Sequence, residues 1–410
     1  MVVDLRLGYP RPMPTDVFSE GEIGPITLRN RFIRSAAFEG MCPGGVPSGA
    51  LIEYHRSVAA GGIGMTTVAY VSVARDGRSF SHQAWMRPEI LGPLGELCDA
   101  VHREGALASV QLGHCGNMSD RRVSGVRPIA PSAVFNLFGL TYPRAMTPTD
   151  IEGVAEGFAA SARLAMEAGF DAVEIHAGHG YLISQFLSPR TNRRKDEFGG
   201  DLENRCRFGR MVVERVSEAV GGKLAVLVKM NLSDGFAGGA GPEEAAEVAK
   251  VFEAAGAHAL ILSGGFVSKT PMYVMRGDTP LAGFTRGERR LLAKVGLALF
   301  GRVVVKTYPF EEAYFLDEAR VVREAVGLPL VLVGGLVSRA SIERAMSAGF
   351  DFAALARPLI AQPDFVDRLR RGELEVSPCD QCNTCVASMY HDEARCHLAE
   401  GEGPETGPTS

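Results

Sequence analysis

Eight short apolar runs, each bounded by glycine or polar residues and separated by amphipathic stretches, constrain this chain more than any other feature. They lie at 32–37, 64–71, 107–112, 171–175, 224–230, 259–262, 330–333 and 352–355. None alternates apolar with polar residues, which is how strands covered on both faces read. The segments between them carry helix punctuation. One, at 151–168, follows Thr149 and Asp150 as a capping pair and stops at Gly169. Another, at 242–255, begins on Pro242 and ends before Gly256, and a third opens at Ser338 and closes at Gly349. Strand then helix, eight times over, predicts parallel strands joined by crossover helices. The count predicts an α/β fold of the closed (β/α)8 TIM barrel type rather than an open doubly wound sheet.

At about 150 residues per domain, 410 residues would make two or three domains, but one barrel with insertions absorbs most of them. The expected organisation is a barrel at 1–375, a cysteine-rich segment at 376–397 and a disordered tail of Gly, Glu, Pro, Thr and Ser at 398–410. On this organisation, no nucleotide-binding domain is expected after the barrel. The stretches 113–148 and 264–326 are too long for ordinary connections, and they are expected to line a site, because barrels carry their chemistry on the loops after the strands. Glycine supplies 48 residues, about 12% against a usual value of roughly 7%, without a collagen period. That excess predicts tight turns and close backbone approaches.

A net charge of -5, with Lys and Arg scattered among the acids, gives no footprint for nucleic acid. The opening MVVDLRLGYPRPMP lacks the apolar centre of a secretory signal, and no run approaches the roughly 18 to 20 apolar residues that span a bilayer. The chain is therefore expected to be cytoplasmic and to engage no membrane; a homo-oligomer is compatible with it. No GxGxxG follows a predicted strand, which argues against a Rossmann domain. Eight cysteines in such a chain read as reduced thiols or ligands. Cys42, Cys98, Cys115 and Cys206 are dispersed, whereas Cys379, Cys382, Cys385 and Cys396 crowd together.

The densest signal follows the fourth run, in VEIHAGHGYLISQFL, where His176, His179 and Tyr181 stand at a strand end. Two imidazoles three residues apart can both donate hydrogen bonds to an oxygen gaining negative charge, and a phenol beside them can donate a proton. Metal binding is the competing use of a His pair, and no third ligand stands on the same loop. The charged residues beyond, at 192–197 and 201–205, read as loop and helix-start ion pairs.

This stretch resembles the signature of the Old Yellow Enzyme family of FMN-containing (β/α)8 barrels, and the resemblance runs from about Ile26 to Arg371. It implies that His176 and His179 bind the carbonyl or nitro oxygen of an activated alkene and that Tyr181 is the proton donor. It likewise implies that Ser35, Ala36, Ala37 and Phe38 in LRNRFIRSAAFEG contact the flavin ring. A Pro is usual at Ala36 and a Thr or Cys at Phe38, so the redox potential of the usual members does not carry over. Gln111 in VQLGHCGN matches the Gln that bonds the pyrimidine side of the flavin, and Lys229 stands where an Arg is usual near N1 and O2. Lys keeps the charge that stabilises a reduced flavin and loses the planar donor fork. Tyr70 and His176 complete the expected flavin contacts, whereas Glu39 is expected at the surface.

Phosphate binding has a physical argument of its own. Gly334 and Gly335 end the seventh run, and Arg357 follows Ala356 after the eighth, where barrels commonly hold phosphate. Arg357 would fork to the phosphate oxygens.

The spacing Cys379-x2-Cys382-x2-Cys385-x10-Cys396 can hold an iron-sulfur cluster or a tetrahedral zinc. Its place resembles the 4Fe-4S segment of the 2,4-dienoyl-CoA reductase and trimethylamine dehydrogenase branch, with a shorter last gap. Zinc and metal-free thiols stay open beside the cluster.

The resemblance implies an ene reductase using FMN, with NADH or NADPH as transient reductant and an α,β-unsaturated carbonyl compound as substrate. Alternatives on the same barrel are an amine dehydrogenase, a carbonyl-compound desaturase and a flavin/iron-sulfur electron-transfer subunit.

Overall fold

A computed structural model describes residues 16–137, 139–288, 290–390 and 393–398. All eight apolar runs are strands: β1 Phe32–Arg34, β2 Met65–Ser72, β3 Leu107–Gly113, β4 Ala172–Ala177, β5 Ala225–Asn231, β6 Ala259–Ser263, β7 Leu330–Val333 and β8 Phe352–Leu355. They close into one barrel in chain order, with every neighbouring pair parallel. β1 ends three residues before the predicted 37, and the chain beyond Arg34 turns across the barrel mouth instead.

The crossover helices are α1 Gly49–Ala60, α2 Leu91–Arg103, α3 Pro148–Glu167, α4 Leu202–Val220, α5 Pro242–Ala254, α6 Leu316–Arg323 and α7 Arg339–Ser347, with α8 Phe365–Arg370 after β8. α3 begins earlier than its predicted cap. Thr147 caps it by accepting from the Asp150 backbone, and the Asp150 side chain returns a bond to the Thr147 backbone, so Asp150 is the inner half of a capping box. Its buried Ile151, Ala155, Phe158, Ala162 and Ala165 form the stripe that faces the strands. Burying Phe158 alone is worth about 1.5–3 kcal/mol.

The stretch 264–326 is a shorter insertion than predicted, because α6 is the ordinary crossover helix within it. The remainder carries the helices Pro271–Val274, Leu281–Gly287 and Leu291–Val304. The predicted tail from 399 onward lies outside the described residues. Among the described residues, no helix is long and apolar enough to cross a membrane.

Inside the barrel, Ile33, Met65, Ala172, Leu227, Ile261 and Phe352 form a separate apolar plug. Ile23 and Leu28 join it from the hairpin of Gly21–Ile23 and Ile26–Leu28, which covers the barrel floor. Side chains alternate in and out along a strand, so the next inward positions toward the strand C-termini follow by register. On β4 these are Glu174 and His176 above Ala172, on β5 Lys229 above Leu227, and on β6 Ser263 above Ile261. The lumen therefore changes from apolar to polar along its axis, and the site begins where it changes.

Candidate active site

The polar end of the lumen opens into a cavity of about 2580 Å³. Ser35, Ala36, Ala37, Phe38, Tyr70, Gln111, His176, His179, Tyr181, Lys229, Gly334, Gly335, Ala356 and Arg357 all lie on its wall, so the barrel gathers every proposed flavin and proton-transfer residue around one space.

β4 delivers His176, and the tight turn after it delivers His179 and Tyr181. The Gly178 backbone donates to His176 Nδ1 at 3.3 Å, which leaves Nε2 as the protonated, donating nitrogen of the neutral ring. His179 Nε2 lies 2.7 Å from Ser263 Oγ, and the His179 backbone donates to Asn231 Oδ1 at 2.8 Å. The two imidazole centroids are 5.0 Å apart and perpendicular. Burial, then the neighbouring His179 and Lys229, hold His176 well below its ordinary value. Burial, then Lys229, push His179 down to about 3. Both rings are thus neutral donors near pH 7. The turn needs Gly180, whose φ is 76° and where a Cβ would sit 2.3 Å from the Phe266 ring.

Tyr181 packs on this pair, its ring centroid 4.8 Å from that of His176 and 4.8 Å from that of Tyr70, on which it stacks. Burial raises its phenol well above the ordinary value, so it keeps its proton at neutral pH. Tyr70 Oη is buried and has no hydrogen-bond partner among the described residues.

At the inner end, two of the sequence-proposed flavin ligands share one carboxylate. Lys229 Nζ lies 2.8 Å from Glu174 Oε1 and 3.2 Å from Ser35 Oγ, and Gln111 Nε2 donates to the same Glu174 oxygen at 2.5 Å. All four side chains are buried. Sequence reasoning missed Glu174, although its place two residues before His176 on a strand puts both on one face. It also missed Ser263, the partner of His179.

At the other end, Gly334 and Gly335 have φ of 113° and 73°. A Cβ at Gly335 would meet the Glu311 carbonyl at 2.6 Å, and one at Gly334 the Phe315 ring at 2.6 Å, so both positions require glycine. Arg357 donates to Asn383 Oδ1 at 2.6 Å and to the Arg276 carbonyl at 2.9 Å. Glu39, expected at the surface, is 1% exposed and absent from the cavity wall. It pairs with Arg34 at 2.6 Å and His55 at 3.3 Å, and it accepts from the Ala69 backbone at 3.1 Å, so it braces β1 against β2.

The cysteine segment closes over the same cavity. Ser377 donates to the Val337 carbonyl at 2.8 Å as the chain leaves the barrel, and Asn383 Nδ2 donates to the Met275 and Asp278 carbonyls at 2.8 and 2.9 Å. His82 Nε2 meets the Met389 carbonyl at 3.0 Å, and the Ala394 backbone donates to Glu39 O at 2.8 Å. Cys385, Val386, Met389 and Tyr390 line the cavity; Cys379, Cys382 and Cys396 do not. Burial, with the thiols of Cys379, Cys382 and Cys396 nearby, pushes Cys385 up to about 12. Among the described residues, the one group of three ligand atoms within 4.8 Å of one another is Asp380, Cys382 and His397. Zinc bonded at about 2.3 Å would draw four thiolates to within about 3.8 Å of each other. Among the described residues, no three of the four thiols lie within 4.8 Å of one another.

A closed parallel barrel that aims amide, ammonium and imidazole donors at one side of such a cavity, and paired glycines with an arginine at the other, defines a class: oxidoreductases that hold a flavin across the barrel mouth. The donor set fits FMN: Gln111, Lys229 and Ser35 would hold its ring, and Gly334, Gly335 and Arg357 its phosphate. The chain belongs to the NADH:flavin oxidoreductase / NADH oxidase family, whose model matches residues 16–269. It is 39% identical over 380 residues to 4,4'-dithiodibutanoate disulfide reductase of Rhodococcus erythropolis, covering 92% of this chain and 94% of that one. Among solved structures, 2-naphthoyl-CoA reductase in complex with 2-naphthoyl-CoA superposes with a TM-score of 0.79 at 25% identity, covering 93% of this chain and 56% of that one. Histamine dehydrogenase from Rhizobium sp. 4-9 does so with a TM-score of 0.75 at 26% identity, covering 93% and 52%. The chain thus spans about half the length of both solved enzymes.

Proposed function

We propose that this chain is an FMN-dependent ene reductase, which takes hydride from NADH or NADPH and adds it, with a proton, across the C=C bond of an α,β-unsaturated carbonyl compound. The observation that carries this reading is the trio of His176, His179 and Tyr181, two neutral donors and a protonated phenol converging on one cavity beside the flavin contacts. Bound there, FMN supplies two-electron hydride transfer between the nicotinamide and the β carbon of the acceptor.

The protein's own groups do the rest. His176 Nε2–H, with His179 beside it, donates to the acceptor's carbonyl oxygen, which gains negative charge as hydride arrives. Tyr181 delivers the proton that the α carbon needs, and water must reprotonate it before the next turnover. Gln111, Lys229 and Ser35 orient the ring, and Gly334, Gly335 and Arg357 hold the phosphate. We assign a 4Fe-4S cluster to Cys379, Cys382, Cys385 and Cys396, on their spacing along the chain and the place of Cys385 on the cavity wall.

The test is a pair of stopped-flow half-reactions on the anaerobic holoenzyme. Bleaching of the flavin by NADH or NADPH reports the first, and recovery of its colour with 2-cyclohexenone reports the second. Tyr181→Phe is expected to slow recovery by about 10²–10⁴-fold and to spare bleaching. Equal recovery rates in the two proteins would remove Tyr181 from the mechanism. The 39% identity to a disulfide reductase makes an organic disulfide the second acceptor to try. Recovery with the disulfide alone would move the reading to disulfide reduction.

A further inference from the structure

The cavity wall has a charge opposite in sign to that of the chain. The protein carries a net charge of -5, yet Lys and Arg outnumber Asp and Glu on this wall by ten to two. Both acids are already spoken for, Asp120 by Arg122 at 2.7 Å and Glu288 by Arg290 at 2.5 Å. The inner cations are accounted for as well, Lys229 by Glu174 and Arg357 by Asn383. Arg75, Arg78, Arg121, Arg127, Arg190 and Lys269 remain without a carboxylate in ion-pair reach among the described residues. Arg78 is only 5% exposed and finds Trp85 4.0 Å from its guanidinium, with nothing anionic beside it.

Two of these cations stand on segments tied to the proposed chemistry. Arg190 follows the helix Leu182–Leu187, whose N-cap is Tyr181. Lys269 closes the turn that begins at Phe266, its backbone donating to the Phe266 carbonyl at 2.8 Å. In that turn Val267 donates to the His179 carbonyl at 3.0 Å. The Lys269 ammonium lies 5.1 Å from the centroid of Phe236, which also lines the cavity. Partial burial, then Arg190 and Arg193 nearby, hold Lys269 below its ordinary value against the weaker opposing pull of Asp234, so like charge outweighs counter-charge here. An anion arriving at this place would relieve that repulsion, and an ammonium beside an apolar ring with a guanidinium near it suits an oxyanion on an organic stem.

We infer that Arg190 and Lys269 form a docking site for a carboxylate or phosphate carried by a ligand that exchanges electrons at this barrel, at a distance from its reacting bond. This rests on the flavin enzyme reading above and adds a substrate class to it. Two ligands could bring such a group, the unsaturated acceptor and the nicotinamide dinucleotide with its phosphates, and the half-reactions separate them.

The experiment compares 4-carboxycinnamaldehyde with its methyl ester in the oxidative half-reaction, and follows bleaching by NADH and NADPH in the reductive one. Both are run on the wild type, Arg190→Gln, Lys269→Gln and the double variant; both side chains are exposed, so the fold is not at stake. The expected result is a preference for the carboxylate of at least tenfold in rate at limiting substrate, shrinking with added salt and collapsing toward one in the double variant. An absent preference, together with slower bleaching in the variants, supports the site and makes the dinucleotide its occupant. No preference and unchanged bleaching would overturn the inference while leaving the enzyme reading intact. Where the wild type neither bleaches nor recovers, that reading fails instead. Binding of 4-carboxybenzaldehyde against its methyl ester, read by calorimetry on wild type and double variant, then decides the charge question.

Discussion

His176 and Lys229 occupy paired register positions on adjacent barrel strands, whereas the four terminal cysteines hang on a segment whose regular structure, among the described residues, is one five-residue helix, Thr384–Ser388. Both regions face the same cavity. The strand-end groups inherit their placement from eight closed strands and are held by short contacts among buried residues. The cysteine segment borrows its position from a few side chains, chiefly Asn383, which is 1% exposed and has a φ of 59°. A barrel thus fixes its first set of groups through the backbone ladder, and fixes the second through hydrogen bonds that single substitutions can remove.

The largest expected effect breaks the comparison at the thiols. Cys385→Ser should abolish bound iron and sulfide in anaerobically purified protein while FMN content stays at the wild-type level. Metal and flavin analysis of the same sample checks this. Stoichiometric zinc, or no metal in the wild type, would end the cluster assignment, and loss of FMN with the metal would mean that the two regions are not independently held.

Asn383→Ala comes next. It removes the acceptor for Arg357 and the donors to Met275 and Asp278, and it leaves a positive φ on a residue with a Cβ. Charged and buried hydrogen bonds together make this roughly 2–4 kcal/mol of local stability. Hydrogen exchange across 379–390 is expected to accelerate about a hundredfold or more, with exchange in β4 and β5 unchanged. Asn383→Gly keeps the backbone conformation and should give back part of the loss.

The same contrast explains what could be read from the sequence. The eight strands were legible because burial on both faces leaves unbroken apolar runs, and β7 and β8 end on the residues expected. His176, His179 and Tyr181 were legible because they crowd into six residues where an apolar run ends. The Glu174 bond to Lys229 and Gln111 was not, since it joins three strands and depends on barrel register. The closure of the cysteine segment over the cavity was equally hidden: its anchors, His82, Asp278, Glu39 and Arg357, are scattered along the chain. Glu39 misled for a related reason, a lone acid reading as surface when its partners Arg34 and His55 lie on separate elements.

Acid should weaken the strand-end region through its histidines. Both are held below the ordinary value near 6.5, so the unfolded chain takes up their protons before the native one does. Their contribution is fully present above about pH 6.5 and declines as pH falls toward the native values, by up to about 1.4 kcal/mol per pH unit for each ring. Unfolding free energy of the holoenzyme between pH 6.5 and 5 should therefore fall less steeply in His179→Gln than in the wild type. Parallel slopes would mean that His179 is not kept neutral by its surroundings.

The smallest expected effect sharpens how the strand-end region differs from an ordinary cationic flavin site. Lys229 would favour a reduced flavin through its charge, but Glu174 Oε1 at 2.8 Å offsets that charge within the same buried layer, while Glu174 Oε2 has no partner among the described residues. Glu174→Gln keeps the shape and a hydrogen-bonding group and removes the negative charge. The Lys229 ammonium is then uncompensated, and reduction of a nearby flavin becomes easier by about 1–2 kcal/mol at an effective dielectric near 20. For a two-electron couple that is a rise of about 20–45 mV in midpoint potential, which anaerobic dye titration resolves. Lys229→Met should move the potential the other way, and by less than in a site without the acid, because the carboxylate it leaves behind can be protonated. If Glu174→Gln lowers the potential or leaves it unchanged, the carboxylate acts by orienting Gln111 and not by balancing charge. The lumen layer would then be a scaffold for hydrogen bonds, closer in kind to the contacts that hold the cysteine segment.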